Sequence, residues 1–280
     1  MATIVRSNAE ANEIGALVPE KGFKNYIING VFDIWQRGTT ASGNDGWYYL
    51  ADRFKSLGLS DGERLADGRL HLSSTNDDTG HAVSQVIEKV SSLLGKVVTF
   101  SADVEWVSGA DAYMQVVWRN SDGDWINSYS ERLHSLMSVG DRKIISITLT
   151  VPNDTDIFYL DCRFNNPTDA QGLELKTINW QLEEGEVATP FEHRPYGLEL
   201  SLCQRYYEVG TGFIQSLSDV DNYNASRYFF NFKSTKRIQP SVTTSETTGL
   251  DVFLDSVAFH DDDLDIGEYK NFTWTADAEL

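Results

Sequence analysis

The chain has 280 residues, 41% of them hydrophobic and 23% charged, enough to bury a sizeable core and to hold two domains. Its formal net charge of -19 is repelled by nucleic-acid phosphates and by anionic membrane surfaces, which argues against nucleic-acid binding through a basic face. Two cysteines, Cys162 and Cys203, make no disulfide framework and lack metal-ligand spacing, so both read as small buried apolar residues.

Residues Met1 to Glu20 hold no continuous apolar run behind a basic start, and no stretch approaches the roughly twenty apolar residues that span a bilayer. The expectation is a soluble chain made in the cytoplasm without membrane insertion. Seven Trp, twelve Tyr and fourteen Phe suit strands, where flat side chains pack on a pleated surface. They also suit sugar binding, where a ring stacks on the apolar face of a pyranose.

In chain order, Ala2 to Phe23 is polar and weakly patterned, and reads as an extended arm that orders against a partner. From Tyr26 to Gly38 the pattern is a strand interrupted by Asn29-Gly30, and Tyr48 to Lys55 is a second, aromatic strand. Asp67-Gly68 ends another strand, and Asp78-Thr79-Gly80 precedes one from Ala82 to Val90. Asp122-Gly123 between Tyr113–Asn120 and Trp125–Tyr129 is a hairpin signal.

Alternation gives four strands an apolar and a polar face. Val98, Phe100, Ala102, Val104 and Trp106 oppose Thr99, Ser101, Asp103 and Glu105. Met114, Val116 and Trp118 oppose Tyr113, Gln115 and Arg119. Ile145, Ile147, Leu149 and Val151 oppose Ser146, Thr148 and Thr150, and Phe158, Leu160, Cys162 and Phe164 oppose Tyr159, Asp161 and Arg163. Such strands with no long amphipathic helix among them predict an all-β jelly-roll sandwich over residues 24–194, with one helical turn within Ser130 to Val139.

The sandwich closes with a strand from Leu175 to Leu182, then the acidic turn Glu183-Glu184-Gly185-Glu186. Pro190 and Pro195 hold a crossing extended, a helix runs from Leu198 to Tyr207, and Leu202 and Tyr206 dock it. Further strands at Arg227–Phe232, Pro240–Ser245, Leu250–Phe259 and Tyr269–Trp274 make a second, smaller β-domain over 210–280.

Three motifs carry a resemblance: Asn29-Gly30-Val31-Phe32-Asp33-Ile34-Trp35-Gln36-Arg37-Gly38; Ala51-Asp52-Arg53-Phe54; and Gln181-Leu182-Glu183 through Phe191-Glu192-His193-Arg194-Pro195 to Leu202-Cys203-Gln204-Arg205-Tyr206-Tyr207. Together, and with Phe272 to Leu280, they resemble bacteriophage, prophage and gene-transfer-agent virion proteins of the tail-fibre or head-spike type. That resemblance implies a jelly roll similar to carbohydrate-binding modules, displayed on a virion surface and facing the host. It implies a host capsular or surface polysaccharide and other virion proteins as partners, and a homo-oligomer, trimeric in a fibre or pentameric at a capsid vertex. It also implies a structural calcium ion near the first strand, where Asp33 stands as the acidic ligand; the aspartate pair usual in the final strand is replaced by Thr177-Ile178-Asn179-Trp180.

A sugar site needs an aromatic platform and planar polar groups. The polar face formed by Tyr113, Gln115, Arg119, Tyr159, Asp161 and Arg163 offers both, if its two strands are neighbours; otherwise it is a solvated face with cross-strand ion pairs, or a subunit interface. Trp125 beside its turn, and Trp47 with Tyr48 and Tyr49, are loop-borne stacking candidates, the latter three reading equally as entry into a core strand. Trp106 and Trp118 belong to the core. His260 to Gly267 has alternating carboxylates but a glycine one place late and Phe272 at the twelfth position, so it reads as an acidic turn. The five histidines are scattered, and no phosphate loop or nucleophile elbow is present. Arg53 and Arg205 read as structural, pairing buried carboxylates. The expectation is a non-enzymatic adhesion protein, against a purely structural spike or collar subunit and a polysaccharide depolymerase.

Overall fold

The computed structural model describes residues 22–41, 47–57, 61–74, 81–88, 90–109, 112–120, 122, 124–164, 173–215, 226–246, 249–261 and 268–279. The proposed arm up to Lys21, the turns at 78–80 and Gly123, and the acidic run 262–267 lie outside the described residues. Sheet I has the order β1 (Thr40–Ala41), β4 (Asp61–Arg64), β5 (Leu70–Ser74), β12 (Leu173–Glu184), β7 (Val97–Ser108), β10 (Arg142–Thr150). Sheet II has the order β2 (Trp47–Tyr49), β3 (Lys55–Leu57), β6 (His81–Val86), β11 (Ile157–Phe164), β8 (Tyr113–Arg119), β9 (Trp125–Arg132). Neighbouring strands in both are antiparallel. No described helix is long and apolar enough to cross a membrane.

The two sheets pack face to face as an all-β jelly-roll sandwich. Val98, Phe100, Ala102, Val104 and Trp106 from β7 share one core with Met114, Val116 and Trp118 from β8, as a period of two requires. Ile145, Ile147 and Val151 join it, and one helical turn, Leu133–Leu136, caps an end with Leu133. At the centre Trp180 meets Phe32, Phe54 and Phe100 edge-on, with ring centroids 5.9, 5.4 and 5.3 Å away, and its indole N–H donates to Thr177 Oγ1 at 2.7 Å. Alternation understates burial on β7: Thr99 and Ser101 on its other face are also buried. Thr99 Oγ1 bonds Gly185 O at 2.8 Å, so the turn after β12 folds back over that face.

The opening segment differs from the strand expected over Tyr26 to Gly38. No ladder forms there. Asn29 and Phe32 have φ of 61° and 57°, and Asn29 supplies the missing partners: its Nδ2 donates to Ile34 O and Asp52 O, and its Oδ1 accepts from Ile34 N. Gly30 is required because a Cβ there would stand 2.2 Å from Trp180 O. Trp180 N in turn donates to Gly30 O at 2.8 Å, made possible by a bulge at Asn179, whose φ is 60°. The expected strand Tyr48–Lys55 is likewise broken, since Arg53 has φ 75° and Asp52 N turns away to Ile34 O.

The helix spans Tyr196–Gln204, two residues earlier than expected at its start, and Tyr207 already opens a strand. Its Cys203, with Tyr206, packs on Ile28 and Ile34 of the opening segment. Beyond it, β13 (Tyr207–Gln215), β18 (Tyr269–Asp277) and β15 (Ser241–Thr244) form one sheet; β14 (Ser226–Asn231), β17 (Ser256–Asp261) and β16 (Gly249–Val252) form another. The expected strand Leu250–Phe259 is two strands, because Phe253 N bonds Ser256 O and turns the chain. Ile214, Phe232, Val257, Phe259, Phe272 and Trp274 fill the space between these sheets.

The sandwiches meet at a charged joint built from two of the motifs. Arg53 pairs with Glu279 and lies 3.4 Å over the Tyr206 ring; Arg37 pairs with Asp277 and lies 3.4 Å over Tyr207. Arg53 thus meets a buried carboxylate, and Arg205 bonds Glu88 at 3.1 Å. Gln36 Nε2 donates to Asp52 Oδ2 and to Tyr207 O, and Gln36 N donates to Asp52 Oδ1 at 2.9 Å. Burial pushes the Asp52 carboxyl up to about 6, with Gln36 and Arg37 opposing. A raised carboxyl binds its proton more tightly in the folded state, so its contribution to stability is full below about 4 and lost as pH rises through about 6. Relative to the wild type, Asp52→Asn should therefore gain on the order of 2–3 kcal/mol between pH 4 and pH 7 in urea melts. A difference that stays flat across that range would show that Asp52 does not titrate there.

Candidate functional site

The sandwich presents two outer faces, and their chemistry differs. On sheet I the outward row is zipped by ion pairs. Arg69 bridges Asp67 and Glu105, Lys176 reaches Glu105 at 3.5 Å, and Arg142 pairs with Asp103 at 2.7 Å. His71 lies 3.2 Å from Glu63 and 3.5 Å from Glu174. Groups already paired to one another offer little to a ligand, and such exposed pairs are worth about 0–1 kcal/mol each. This is a solvated face.

Sheet II is different. Strands β8 and β11 are neighbours, with Tyr113 opposite Arg163, Gln115 opposite Asp161, Val117 opposite Tyr159 and Arg119 opposite Ile157. One row across the open face reads Tyr49, Lys55, Ser84, Asp161, Gln115 and Ser130. The next reads Trp47, Leu57, Ala82, Arg163, Tyr113 and Arg132. A bulge in β8–β9 sets Trp125 opposite Arg119. The register thus brings Trp47, Tyr113, Gln115, Arg119, Trp125, Tyr159, Asp161 and Arg163 to positions of one face. For Tyr113, Trp125, Tyr159, Asp161, Cys162 and Arg163 the strand positions are described and the side chains are not.

The described side chains give this face a floor and a rim. Ala82, Ser84, Val117 and Gln115 are buried although they point away from the core, so the face is recessed. Gln115 Oε1 is shielded from solvent and has no hydrogen-bond partner among the described residues, an acceptor whose burial costs free energy until something donates to it. At the β2 edge Trp47 is 53% exposed. Tyr48, one residue on, packs on the core, so the two readings of this stretch apply to alternate residues. Tyr49 is held by Arg37, 4.2 Å over its ring, and Lys55 Nζ lies 5.2 Å from the same ring. Burial depresses the Lys55 ammonium, with Glu279 opposing, so the joint forms one wall of the recess. Trp47 and Trp125 stand on opposite edge strands, about 24 Å apart across the sheet at about 4.8 Å per strand, and about 20 Å apart along it at about 3.3 Å per residue.

Tyr49 is a stacking candidate from the sequence, whereas Lys55 and Ser84 are not singled out by it. The alternation of small residues at Ala82 and Ser84 was the available signal for a floor.

Asp33 belongs elsewhere. It lies away from the sheet II face and bonds Arg64 at 2.8 Å. Near it, Asn25 O, Ile27 O and both Glu199 oxygens converge, as a hard cation would want, but Arg194 occupies the centre. Its Nη2 donates to Asn25 O, and its Nη1 to Ile27 O at 2.9 Å and to Glu199 at 3.1 and 3.2 Å. Among the described residues no group of three His, Cys, Asp or Glu side chains is placed to hold a metal ion. The residues present do not fit a tightly held calcium ion at the opening segment, because a guanidinium already satisfies those oxygens.

The chain matches no family model and no curated protein. Among solved structures, a family 4 carbohydrate-binding module is 14% identical over 56% of this chain and 98% of its own, with a TM-score of 0.39. A xylan-binding CBM22-1 domain from Paenibacillus barcinonensis Xyn10C is 15% identical over 60% of this chain and 100% of its own, at 0.35. The enzymatically active domain of bacteriophage CBA120 tailspike protein 4 is 11% identical over 57% of this chain and 21% of its own, at 0.36. Likenesses this distant say nothing about ligand or origin.

Proposed function

We propose that the chain is a subunit of a virion appendage, a tail fibre or head spike, that holds a host capsular or surface polysaccharide on the open face of sheet II. The observation that carries the reading is the recess itself: an exposed Trp47, a floor of small side chains and the unmet acceptor Gln115 Oε1, on the face to which the register also brings Trp125, Tyr159 and Arg163. The motif set supports the virion setting, with the segment before Phe23 as attachment arm to other virion proteins. Weak sugar contacts on a homo-oligomer of three or five copies would add up through effective concentration. The long row across the recess provides a single carboxylate, Asp161, whereas glycoside hydrolysis needs two; binding without cleavage is the chemistry we assign.

Trp47→Ala and Gln115→Ala are each expected to weaken retention in polysaccharide affinity electrophoresis by about 5- to 30-fold, that is about 1–2 kcal/mol. Thermal melting should stay within a few degrees of wild type. Unchanged retention of both variants on a polysaccharide that holds the wild type would sink the assignment of this face. Immunogold labelling of particles tests the appendage reading, which fails if the label stays off them.

A further inference from the structure

The second sandwich carries a groove that the jelly-roll recess does not explain. On the outer side of its β13–β18 pair, Thr211 stands opposite Thr273 and Phe213 opposite Asn271. Between them Gly212 faces the core, where a Cβ would stand 2.6 Å from the Phe272 ring and 2.7 Å from that of Phe230, so those inner rings pack directly against the strand. A depression of about 600 Å³ lies at this part of the pair, with Phe213, Phe230 and Phe272 among its lining residues, within the range of about 300–1,000 Å³ for small-molecule clefts. Ser245 closes one side, where its Oγ accepts from Thr273 N at 3.1 Å and keeps its own proton for another partner.

In a chain of net charge -19, none of the described residues lining this groove is ionisable. Phe213 is 48% exposed, and a contact with Tyr228 at 5.1 Å between centroids fixes its ring. The groove therefore offers a flat apolar surface beside hydroxyls and one amide able both to donate and to accept. We propose that it is a second glycan site, taking an uncharged hexose or pentose unit whose apolar face stacks on Phe213 and whose adjacent hydroxyls pair with Asn271 and Thr211. This inference rests on the glycan-binding reading of the chain but uses a separate surface. Two sites on one chain would make retention on a long polysaccharide bivalent.

The test uses the full chain and affinity electrophoresis on four neutral polysaccharides: xylan, a mixed-linkage β-glucan, a galactan and dextran. Trp47→Ala with Gln115→Ala should leave residual retention, roughly a tenth to a hundredth of wild type. Adding Phe213→Ala and Asn271→Ala should abolish it. Complete loss on the first pair alone overturns the second site and leaves the recess standing. Loss on Phe213→Ala with Asn271→Ala alone, with no effect of the first pair, supports the groove and removes the recess. Should the groove variants change the sedimentation coefficient but not retention, the face is a contact between copies and the proposal is wrong. No retention of the wild type on any of the four overturns it too.

Discussion

Lys236→Met is expected to destabilise the protein by about 3–5 kcal/mol in equilibrium urea unfolding. The Lys236 and Glu208 side chains are 0% and 1% exposed and meet at 2.6 Å, between the helix and the second sandwich. The ammonium also donates to Gln204 O, and it lies 4.6 Å from the Phe232 ring. Burial pushes the Lys236 ammonium down, and Glu208 pushes it back up. Removing the cation leaves Glu208 charged and buried, with Lys233 N, at 3.2 Å, as its remaining donor among the described residues. Replacing both members, Lys236→Met with Glu208→Gln, should recover much of the loss, because two isosteric uncharged groups need no counter-ion. A single variant as stable as wild type would mean that water reaches the pair.

Arg194→Met should cost a similar amount, about 3–5 kcal/mol, for a different reason. Arg194 ties the opening segment to the chain that follows the jelly roll by donating to Asn25 O and Ile27 O and pairing with Glu199, which itself accepts from Asn29 N. Without the guanidinium, two carbonyls lose this donor and the buried Glu199 carboxylate keeps Asn29 N but loses its counter-ion. Calcium separates the two accounts of this corner. Millimolar calcium or a chelator should not move the melting temperature of the wild type, and calcium should not restore the variant. A rise of several degrees with calcium in the wild type would show that the oxygens hold a metal after all.

Much of the jelly roll is legible in the sequence because it depends on a local period. The core residues of β7, β8 and β10 alternate without interruption, and Trp180 and Leu182 close the sandwich as their place in an apolar strand suggests. The open face is legible for the same reason: a core face read correctly fixes what points the other way. What fails is wherever distant groups replace a ladder. Asn29 satisfies the backbone of Ile34 and Asp52 through its side chain, so a run of apolar residues from Tyr26 to Trp35 makes no strand. The Lys236–Glu208 pair and the Arg53–Glu279 joint join residues far apart in sequence with no periodic signature. The core of the second sandwich has a faint one, the alternating glycines of Val209-Gly210-Thr211-Gly212-Phe213, which in a strand mark places where another ring needs room.

Each sandwich has a sheet completed from the middle. In sheet I, β12 is inserted between β5 and β7; in the second sandwich, β18 is inserted between β13 and β15. On a ribosome, the flanking strands of both sheets therefore emerge and wait with naked edges until the keystone arrives. Such edges invite pairing with a neighbouring nascent chain. Contacts between strands so distant in sequence also form slowly. A chaperone that covers nascent chains is therefore expected to raise the soluble yield on co-expression, and an unchanged yield would show that these edges are protected before the keystone strand emerges.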